Sequence, residues 1–423
     1  MLRPGNTIIH AQQIIARCKR LAGFSEDQDG LRRTFLSPPM HECHREIFQW
    51  LNDLGAEASV DAAGNLRGFY PGAEENSPKL LIGSHLDTVP NAGAYDGVLG
   101  VVIAVALLEA LQGRRLPFGI EVVGFSEEEG VRFGTPFLGS RALIGQLDEE
   151  LLNLRDAEGV TMRQAIRNFG LDPLRIPSAA MKSDALAYLE FHIEQGPVLE
   201  SLGLPQTLGV VEAIAAQRRM EFEFFGCTNH AGTTPMNLRR DAIAGAAEWI
   251  VEVERTAKNV RGAVATVGQI VAKPGAVNVI AGSARVTLDV RHGSGDTCTQ
   301  VTHTFVQLAE EIAQRRGLKL RRKELLAQRA IKMDAFLVEQ IEEAIRNVGC
   351  HPHRMVSGAG HDAMILAEKV PTAIIFLPSP GGTSHDPAES VRTEDVAKAL
   401  ECGLQLLEQL SNSSEFQKRM CRA

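Results

Sequence analysis

A β-α-β pattern between residues 80 and 125 constrains the fold more than any other part of the sequence. Residues 80–82 are a short apolar run that ends at Gly83, as expected of a strand buried on both faces of a parallel sheet. Residues 98–111 are almost entirely apolar and predict a buried crossover helix, and residues 119–125 predict the next strand. In such a sheet, ligands bind beyond the carboxyl ends of the strands.

The first of these strands leads into G-S-H-L-D, which contains His85 and Asp87, and Asp96 follows in a glycine-flanked loop. Asp87 could hold the His85 ring in the tautomer that binds a metal. Each feature alone also has an ordinary explanation, because a His-x-Asp pair often makes structural hydrogen bonds and a loop aspartate often caps a turn.

The second strand leads into three consecutive acids, residues 127–129, which repel one another unless a cation or solvent compensates their charge. Two further apolar runs, 187–191 and 373–377, lead into His192 and His385. As a lone feature the acidic triplet would be a solvated loop. Four strand ends that carry His and carboxylate side chains together predict a site for paired metal ions, and hydrolysis as its chemistry.

Composition limits the other classes of function. The chain has 423 residues, 44% of them hydrophobic and 23% charged, which predicts two globular domains. A formal net charge of -8 argues against nucleic acid as a partner. The longest apolar run falls short of the roughly 20 residues that span a bilayer, so no membrane partner is expected. Seven scattered cysteines without a C-x-x-C pair, and an N-terminus without a signal-peptide core, predict a reducing, cytoplasmic location.

The pattern changes between residues 212 and 328, where apolar and charged residues alternate with period two and two amphipathic helices intervene. We therefore predict an inserted α+β sandwich over 212–328, and a discontinuous catalytic domain over 1–211 and 329–423. Near the N-terminus, the H-E-C-H of residues 41–44 lacks a third ligand and predicts a surface helix.

Several motifs together resemble the dizinc amidase family of N-carbamoyl-L-amino acid hydrolases and allantoate amidohydrolases, within the clan of aminoacylases and dizinc carboxypeptidases. These motifs are S-H-L-D-T-V, E-E-E-G-x-R-F, H-I-E-Q-G-P-V-L-E, N-H-A-G-T-T-P-M-x-x-R-R-D-A, D-V-R-H, S-G-A-G-H-D-A and S-H-D-P-A-E. The resemblance covers residues 80 to 390. It implies a fold like that of dizinc peptidases: an α/β catalytic domain with a mixed, mainly parallel sheet and helices on both faces, plus an inserted dimerisation or lid domain.

The resemblance also implies a role for each residue of the metal site. One zinc is expected on His85, Asp96 and His192, and the other on Asp96, Glu128 and His385, with Asp96 bridging. Glu127 is expected to be the general base, and Asp87 to support catalysis by orienting His85. Zinc is the first candidate for the two ions, with manganese, cobalt and nickel as alternatives. His192 points to the carbamoyl branch, because the peptidase-like branches tend to carry an acid there.

A second group of residues is expected to bind substrate. Arg291 can hold a carboxylate by two parallel hydrogen bonds, and the resemblance implies Asn278 as its companion. It further implies that His230 reaches the oxyanion from a partner subunit, which makes the protein a homodimer. The remaining contacts that the resemblance implies are with Gln195, Gln217, Gly360 and His361, and Arg218 is an alternative to Gln217.

These expectations favour one class of enzyme and leave its substrate open. The leading prediction is a cytoplasmic dizinc amidohydrolase that cleaves the carbamoyl C–N bond of a small ureido acid and releases ammonia and carbon dioxide. Allantoate is the first candidate substrate, because the R-T-F-L-S-P-P-M segment of residues 33–40 resembles a segment of allantoate enzymes. N-carbamoyl-L-amino acids or N-carbamoyl-β-alanine are the alternatives. A dipeptidase or N-acyl amino acid deacylase, and a protein in which zinc only stabilises the fold, are more distant possibilities.

Overall fold

A computed structural model describes residues 4–421 of the chain, and the side chains of residues 7–421. Its α-helices are α1 Pro4–Ala22, α2 Pro38–Asp53, α3 Val98–Leu111, α4 Leu138–Leu143, α5 Glu149–Leu152, α6 Met162–Asn168, α7 Val198–Ser201, α8 Ala242–Lys258, α9 Gly295–Arg315, α10 Ala335–Asn347, α11 Asp362–Leu366, α12 Thr393–Asn412 and α13 Ser414–Met420. Its strands are β1 Glu57–Val60, β2 Leu66–Tyr70, β3 Lys79–His85, β4 Gly119–Phe125, β5 Ala185–Ile193, β6 Thr207–Ile214, β7 Ala216–Phe225, β8 Val264–Thr266, β9 Ile270–Lys273, β10 Ser283–His292, β11 Lys319–Gln328, β12 Ile331–Lys332, β13 His351–Ser357 and β14 Thr372–Leu377.

The chain divides into two compact units. The first comprises the residues up to Glu212, Met333–Met355 and the residues from Gly360 onward, and the second comprises Ala213–Lys332 and Val356–Ala359.

The first unit contains a mixed sheet with strand order β1-β2-β4-β3-β5-β14-β6, and β13 pairs with β6. The four central strands β4, β3, β5 and β14 run parallel to one another, and the outer pairs are antiparallel. The mixed α/β fold predicted from the sequence is therefore confirmed, with its parallel strands at the centre. One detail differs: His192 lies inside β5, whereas the predicted strand ended before it.

Helix α3 joins β3 to β4 and packs against β3 and β5, beneath α1 and α12. Its residues are apolar around the whole circumference, which is the pattern of a helix buried on every side. Gly100 allows the close approach, because a Cβ atom at this position would lie 2.1 Å from the carbonyl oxygen of Phe191 in β5. This packing places the loops that follow β3 and β5 next to each other.

The second unit has an antiparallel sheet of strand order β11-β7-β10-β8, with β9 also paired to β10. Alternate residues of β7 and β10 face helices α8 and α9 and form one apolar core with them. Trp249 of α8 is fully buried there and donates its indole N–H to the carbonyl of Phe305 at 2.8 Å. The helix starts at Ala242, where the side chain of Asp241 caps it by accepting the backbone N–H groups of Ile243 and Ala244.

Each of the seven cysteines is free, and Cys421 is the most exposed of them. Within residues 4–421, none of the helices combines the length and the apolar character needed to cross a membrane.

Candidate metal centre

The loop that follows β3 orients two of the expected site residues. The Nδ1 atom of His85 lies 3.0 Å from the backbone oxygen of Asp87. Because a carbonyl oxygen can only accept, Nδ1 carries the ring proton and Nε2 presents its lone pair. The carboxylate of Asp87 accepts the backbone N–H groups of Glu128 at 2.9 Å and Glu129 at 3.0 Å. Asp87 therefore connects the His85 loop to the acidic triplet.

His192 is oriented in the same way. Its Nδ1 atom donates to the backbone oxygen of Ile193 at 2.8 Å, so its Nε2 atom also presents a lone pair. That Nε2 atom lies 3.2 Å from Oδ1 of Asp96 and 3.5 Å from Nε2 of His85. Two nitrogens bound to one tetrahedral zinc at 2.0–2.1 Å would be about 3.4 Å apart. The spacing and chemistry of these donors therefore fit a metal ion.

His385 completes the group from the loop after β14. Its Nε2 atom lies 3.1 Å from Oδ2 of Asp96 and 3.4 Å from Oε1 of Glu129. Hydrogen bonds with Asp96 and then Glu129 raise the pKa of His385 to about 10. Burial alone would raise the pKa of Asp96, but His385 and the charge of His192 bring it below its usual value. Asp96 thus faces imidazole nitrogens with both carboxylate oxygens.

The acidic triplet differs from the sequence-based expectation. Glu129 groups with Asp96 and His385, whereas Glu128 groups with His85 and Glu129. Glu127 is fully buried and belongs to none of the potential metal-binding groups among the described residues. Glu129 thus lies beside Asp96 and His385, where the expectation placed Glu128, and Asp87 holds the backbone of residues 128 and 129.

Burial also changes the proton affinity of the triplet. It raises the pKa of Glu127 well above the ordinary value, and the charge of Asp87 adds to this. Burial likewise raises the pKa of Glu128, helped by the neighbouring Glu129. A carboxyl group of raised pKa beside the potential metal ligands His85 and Glu129 is suited to move protons.

Glu389 holds the loop of Asp96, and the sequence reasoning assigned it no role. One of its oxygens accepts the backbone N–H groups of Tyr95 at 2.9 Å and Asp96 at 3.1 Å. The other lies 3.3 Å from the hydroxyl of Ser384, next to His385. The only sequence signal was its place in the S-H-D-P-A-E motif.

Gln195 lies at this centre, as expected, and donates its side-chain amide to both oxygens of Asp96 at 3.1 Å. Gln195 and His385 both have positive φ, 58° and 56°, which is uncommon for residues other than glycine and is found at functional sites.

Two other expected substrate contacts have different surroundings. The ring of His361 is buried edge-on against His192, with centroids 4.6 Å apart, and burial lowers its pKa well below the ordinary value. A Cβ at Gly360 would lie 2.8 Å from the ring of Phe137. His361 therefore packs against His192, and Gly360 against Phe137; a substrate contact at these two positions stays a prediction.

The remaining expected residues lie in the second unit and form two pairs. Gln217 of β7 is the cross-strand partner of Arg291 of β10, and both side chains contact Asp289. The loops of His230 and Asn278 run side by side, since the N–H of Ala231 donates to the carbonyl of Asn278 at 2.9 Å. His230 and Asn278 are both exposed.

Three imidazoles around one aspartate, with two glutamates beside them on a mixed α/β sheet, are the side-chain set of a metal-dependent hydrolase. The chain belongs to the peptidase family M20/M25/M40, whose family model matches residues 81–409.

Individual relatives bear amidase names. The N-carbamoyl-L-amino acid amidohydrolase of Geobacillus stearothermophilus is 39% identical over 358 residues, which are 84% of this chain and 87% of that protein. A probable allantoate deiminase of Oryza sativa subsp. japonica is 35% identical over 420 residues, 91% of this chain and 85% of that protein. The structure of a hydantoinase/carbamoylase family amidase from Burkholderia ambifaria superimposes with a TM-score of 0.88 at 32% identity, covering 95% of this chain and 98% of that one. The predictions of the family and of a hydrolytic enzyme acting on non-peptide C–N bonds are confirmed.

Proposed function

We propose that the protein hydrolyses the carbamoyl C–N bond of a ureido acid and releases ammonia and carbon dioxide. The observation that carries this proposal is the arrangement of the Nε2 atoms of His85, His192 and His385 around Asp96, at 3.9, 3.2 and 3.1 Å from its oxygens. Histidine rather than an acid at position 192 supports the carbamoyl branch. The names of the relatives, which refer to N-carbamoyl amino acids and to allantoate, support the same substrate class.

The side chains fit a pair of divalent ions. His85, Asp96 and His192 would hold one ion, and Asp96, Glu129 and His385 would hold the other. Such ions supply Lewis-acid polarisation of the substrate carbonyl and a water of lowered pKa. Nitrogen and oxygen donors of this kind accept zinc, manganese, cobalt or nickel, with zinc the first candidate.

Glu128 is the general base in this proposal. It lies beside one residue assigned to each ion, His85 and Glu129, and is not itself grouped with Asp96. It takes a proton from the attacking water and transfers it to the departing nitrogen. Asp87 positions both Glu128 and His85 through the hydrogen bonds described above.

Residues of the second unit would bind the rest of the substrate. Arg291, with Gln217 beside it, binds the carboxylate, and Asn278 assists. The oxyanion of a ureido group needs strong stabilisation because two nitrogens donate into its carbon. We propose that the partner subunit's His230 supplies it, which makes the protein a homodimer with the second unit as its dimerisation domain.

Allantoate and N-carbamoyl-L-amino acids are the two substrate candidates. The segment of residues 33–40 that favoured allantoate has a structural role instead: Arg33 is fully buried and donates to the carbonyls of Leu21, Phe24 and Leu86. It therefore contributes no preference. The relative of 39% identity favours the N-carbamoyl amino acids as much as the plant relative favours allantoate. Seven free cysteines agree with a reducing, cytoplasmic setting.

Steady-state ammonia release tests the proposal. The metal-loaded enzyme is assayed on allantoate, N-carbamoyl-L-methionine and N-carbamoyl-β-alanine, and we expect turnover of at least one. Negligible rates on all three would contradict the proposed function.

The acidic triplet offers a matched pair of variants for the base. Glu128→Gln should lower kcat by roughly 100-fold to 10,000-fold, as expected for loss of a general base, without loss of bound metal. Glu127→Gln, its neighbour, should retain most activity. If Glu127→Gln loses activity and Glu128→Gln retains it, the general base is Glu127, as expected from the sequence.

A further inference from the structure

Asp289 is the centre of a hydrogen-bonded cluster on β7 and β10 of the second unit. Its Oδ1 atom accepts Nε of Arg291 at 2.9 Å, and its Oδ2 atom accepts Nη2 of Arg291 at 3.2 Å. Oδ2 also accepts the amide of Gln217 at 2.6 Å and Nε of Arg219 at 2.8 Å. The antiparallel register causes this meeting, because it pairs Asp289 with Arg219 and Arg291 with Gln217, and alternate residues of a strand share a face.

This cluster faces away from the apolar core. Leu288 and Val290, the neighbours of Asp289, are buried in the core of the unit, so the side chain of Asp289 points to the opposite face of the sheet. The carboxylate is a quarter exposed. Partly exposed ion pairs contribute little to folding stability. The cluster is therefore not required to hold the sheet together.

The contacts fix how Arg291 can bind a ligand. A guanidinium has five N–H donors. Two are used by Asp289, and a third, on Nη1, donates to the carbonyl of Gly358 at 2.6 Å. One donor remains on each terminal nitrogen, which is the number that a carboxylate needs for two parallel hydrogen bonds.

The charges are matched as well. Arg291 and Arg219 together carry two positive charges and Asp289 one negative charge, which leaves the cluster with one positive charge for one carboxylate. Burial alone would raise the pKa of Asp289, but hydrogen bonds from Arg291 and Arg219 lower it, so the carboxylate is ionised at neutral pH.

We propose that Asp289 is a positioning residue for substrate selection: it holds Arg291 and Gln217 so that the free end of the guanidinium binds the substrate carboxylate. This inference rests on the proposed function, in which Arg291 binds that group. It predicts that Asp289 increases the affinity of the enzyme for substrates with a carboxylate, and that this effect depends on Arg291.

The test uses Asp289→Ala and Asp289→Asn in the metal-loaded enzyme. The substrates are a ureido acid that the enzyme turns over and its uncharged carboxamide, such as N-carbamoyl-L-methionine and its amide, or allantoate and its amide. We expect Asp289→Ala to raise KM for the acid by roughly tenfold to a hundredfold, as for loss of a charge-assisted hydrogen bond, with kcat and the KM of the amide little changed. Asp289→Asn, which keeps one acceptor oxygen, should have a smaller effect.

Glu248→Gln is the matched control. Glu248 also pairs with two arginines of the same unit, Arg315 and Arg316, away from the cluster. This control should leave both KM values unchanged. Equal losses for acid and amide in Asp289→Ala, or an unchanged or lower KM for the acid, would overturn the inference.

Arg291→Ala separates this inference from the function on which it rests. If Arg291→Ala does not raise KM for the acid, the carboxylate anchor of the proposed function is wrong. If it does, while Asp289→Ala has no effect, only the role of Asp289 is wrong. In the double variant with both Arg291→Ala and Asp289→Ala, KM for the acid should equal that of Arg291→Ala alone, because the effects of residues that act through one another are not additive.

Discussion

Gly97 provides a direct test of the His85 position. A Cβ atom at residue 97 would lie 2.4 Å from both Cδ2 and Nε2 of the His85 ring. Ordinary contacts of a Cβ begin at 3.4 Å, so in Gly97→Ala the ring has to retreat by about 1 Å, the difference between these distances. Zinc tolerates only about 0.2 Å of variation around its 2.0–2.1 Å bonds to nitrogen. The substitution therefore removes His85 from any metal ion held with Asp96 and His192.

The size of the effect follows from two separate costs. Gly97 has a φ of 65° and a ψ of -53°, the geometry of a γ-turn that is strained for any residue with a side chain, so an alanine there costs roughly 1–3 kcal/mol of folding stability. Mutation of a residue that only hydrogen-bonds a metal ligand lowers metal affinity roughly 10-fold to 100-fold, and loss of the ligand itself should lower it further. Metal affinity should therefore fall at least a hundredfold, and the metal-free protein should lose only the conformational cost.

Gly134→Ala is the matched control, because Gly134 has a φ of 66° and a Cβ there would have no atom within 4 Å. Zinc affinity is measured by competition with a chromophoric chelator, and stability of the metal-free proteins by urea unfolding. Only Gly97→Ala should lose zinc affinity. Zinc affinity of Gly97→Ala equal to that of Gly134→Ala would refute the reasoning.

Two further predictions concern buried polar groups. Glu389→Ala leaves the buried N–H groups of Tyr95 and Asp96 without their acceptor. Each unsatisfied group costs about 1–3 kcal/mol, so urea unfolding of the metal-free protein should show a loss of stability of roughly 2–6 kcal/mol. Glu389→Gln should largely restore this stability, and a loss below about 1 kcal/mol in Glu389→Ala would contradict the role of Glu389. His44 is buried without a hydrogen-bond partner, and burial lowers its pKa from 6.5 to about 3. In the unfolded chain His44 therefore becomes protonated below pH 6.5, and in the folded chain only near pH 3. The folded state consequently loses stability as the pH is lowered through this range, by about 2 kcal/mol at pH 5. His44→Leu should remove about 2 kcal/mol of the decrease in unfolding free energy that urea unfolding shows between pH 7.5 and pH 5, and the exposed control His303→Asn should not. An equal pH dependence of stability in the wild type and His44→Leu would contradict this prediction.

The β-α-β unit could be predicted from the sequence because its signals are local. Helix α3 and strand β4 have the predicted bounds, Val98–Leu111 and Gly119–Phe125, since burial on both sides leaves uninterrupted apolar runs. Residues 41–44 show the limit of inspecting a short motif. They predicted a surface helix, yet His44 belongs to the buried face of α2 with Met40, Ile47 and Leu51, a spacing that the whole helix would have revealed.

The order of the acidic triplet could not be predicted from residue types. Three consecutive glutamates offer the same chemistry, and which of them lies beside Asp96 follows from the fold, in which Asp87 holds the backbone of residues 128 and 129. Glu389 escaped prediction for a related reason, because it acts on Asp96 from 293 residues away in the chain. Contacts of this separation follow from the fold and not from local spacing.

The central claim is a two-metal centre bridged by Asp96, with Glu129 rather than Glu128 as a ligand. Anomalous X-ray diffraction from zinc-loaded crystals, recorded on both sides of the zinc absorption edge, tests it most directly. The account predicts two peaks per chain: one at His85, Asp96 and His192, and one at Asp96, Glu129 and His385. A single peak would contradict it, and so would a second peak held by Glu128, or by Glu190 and His361, which form another potential metal-binding group with His192.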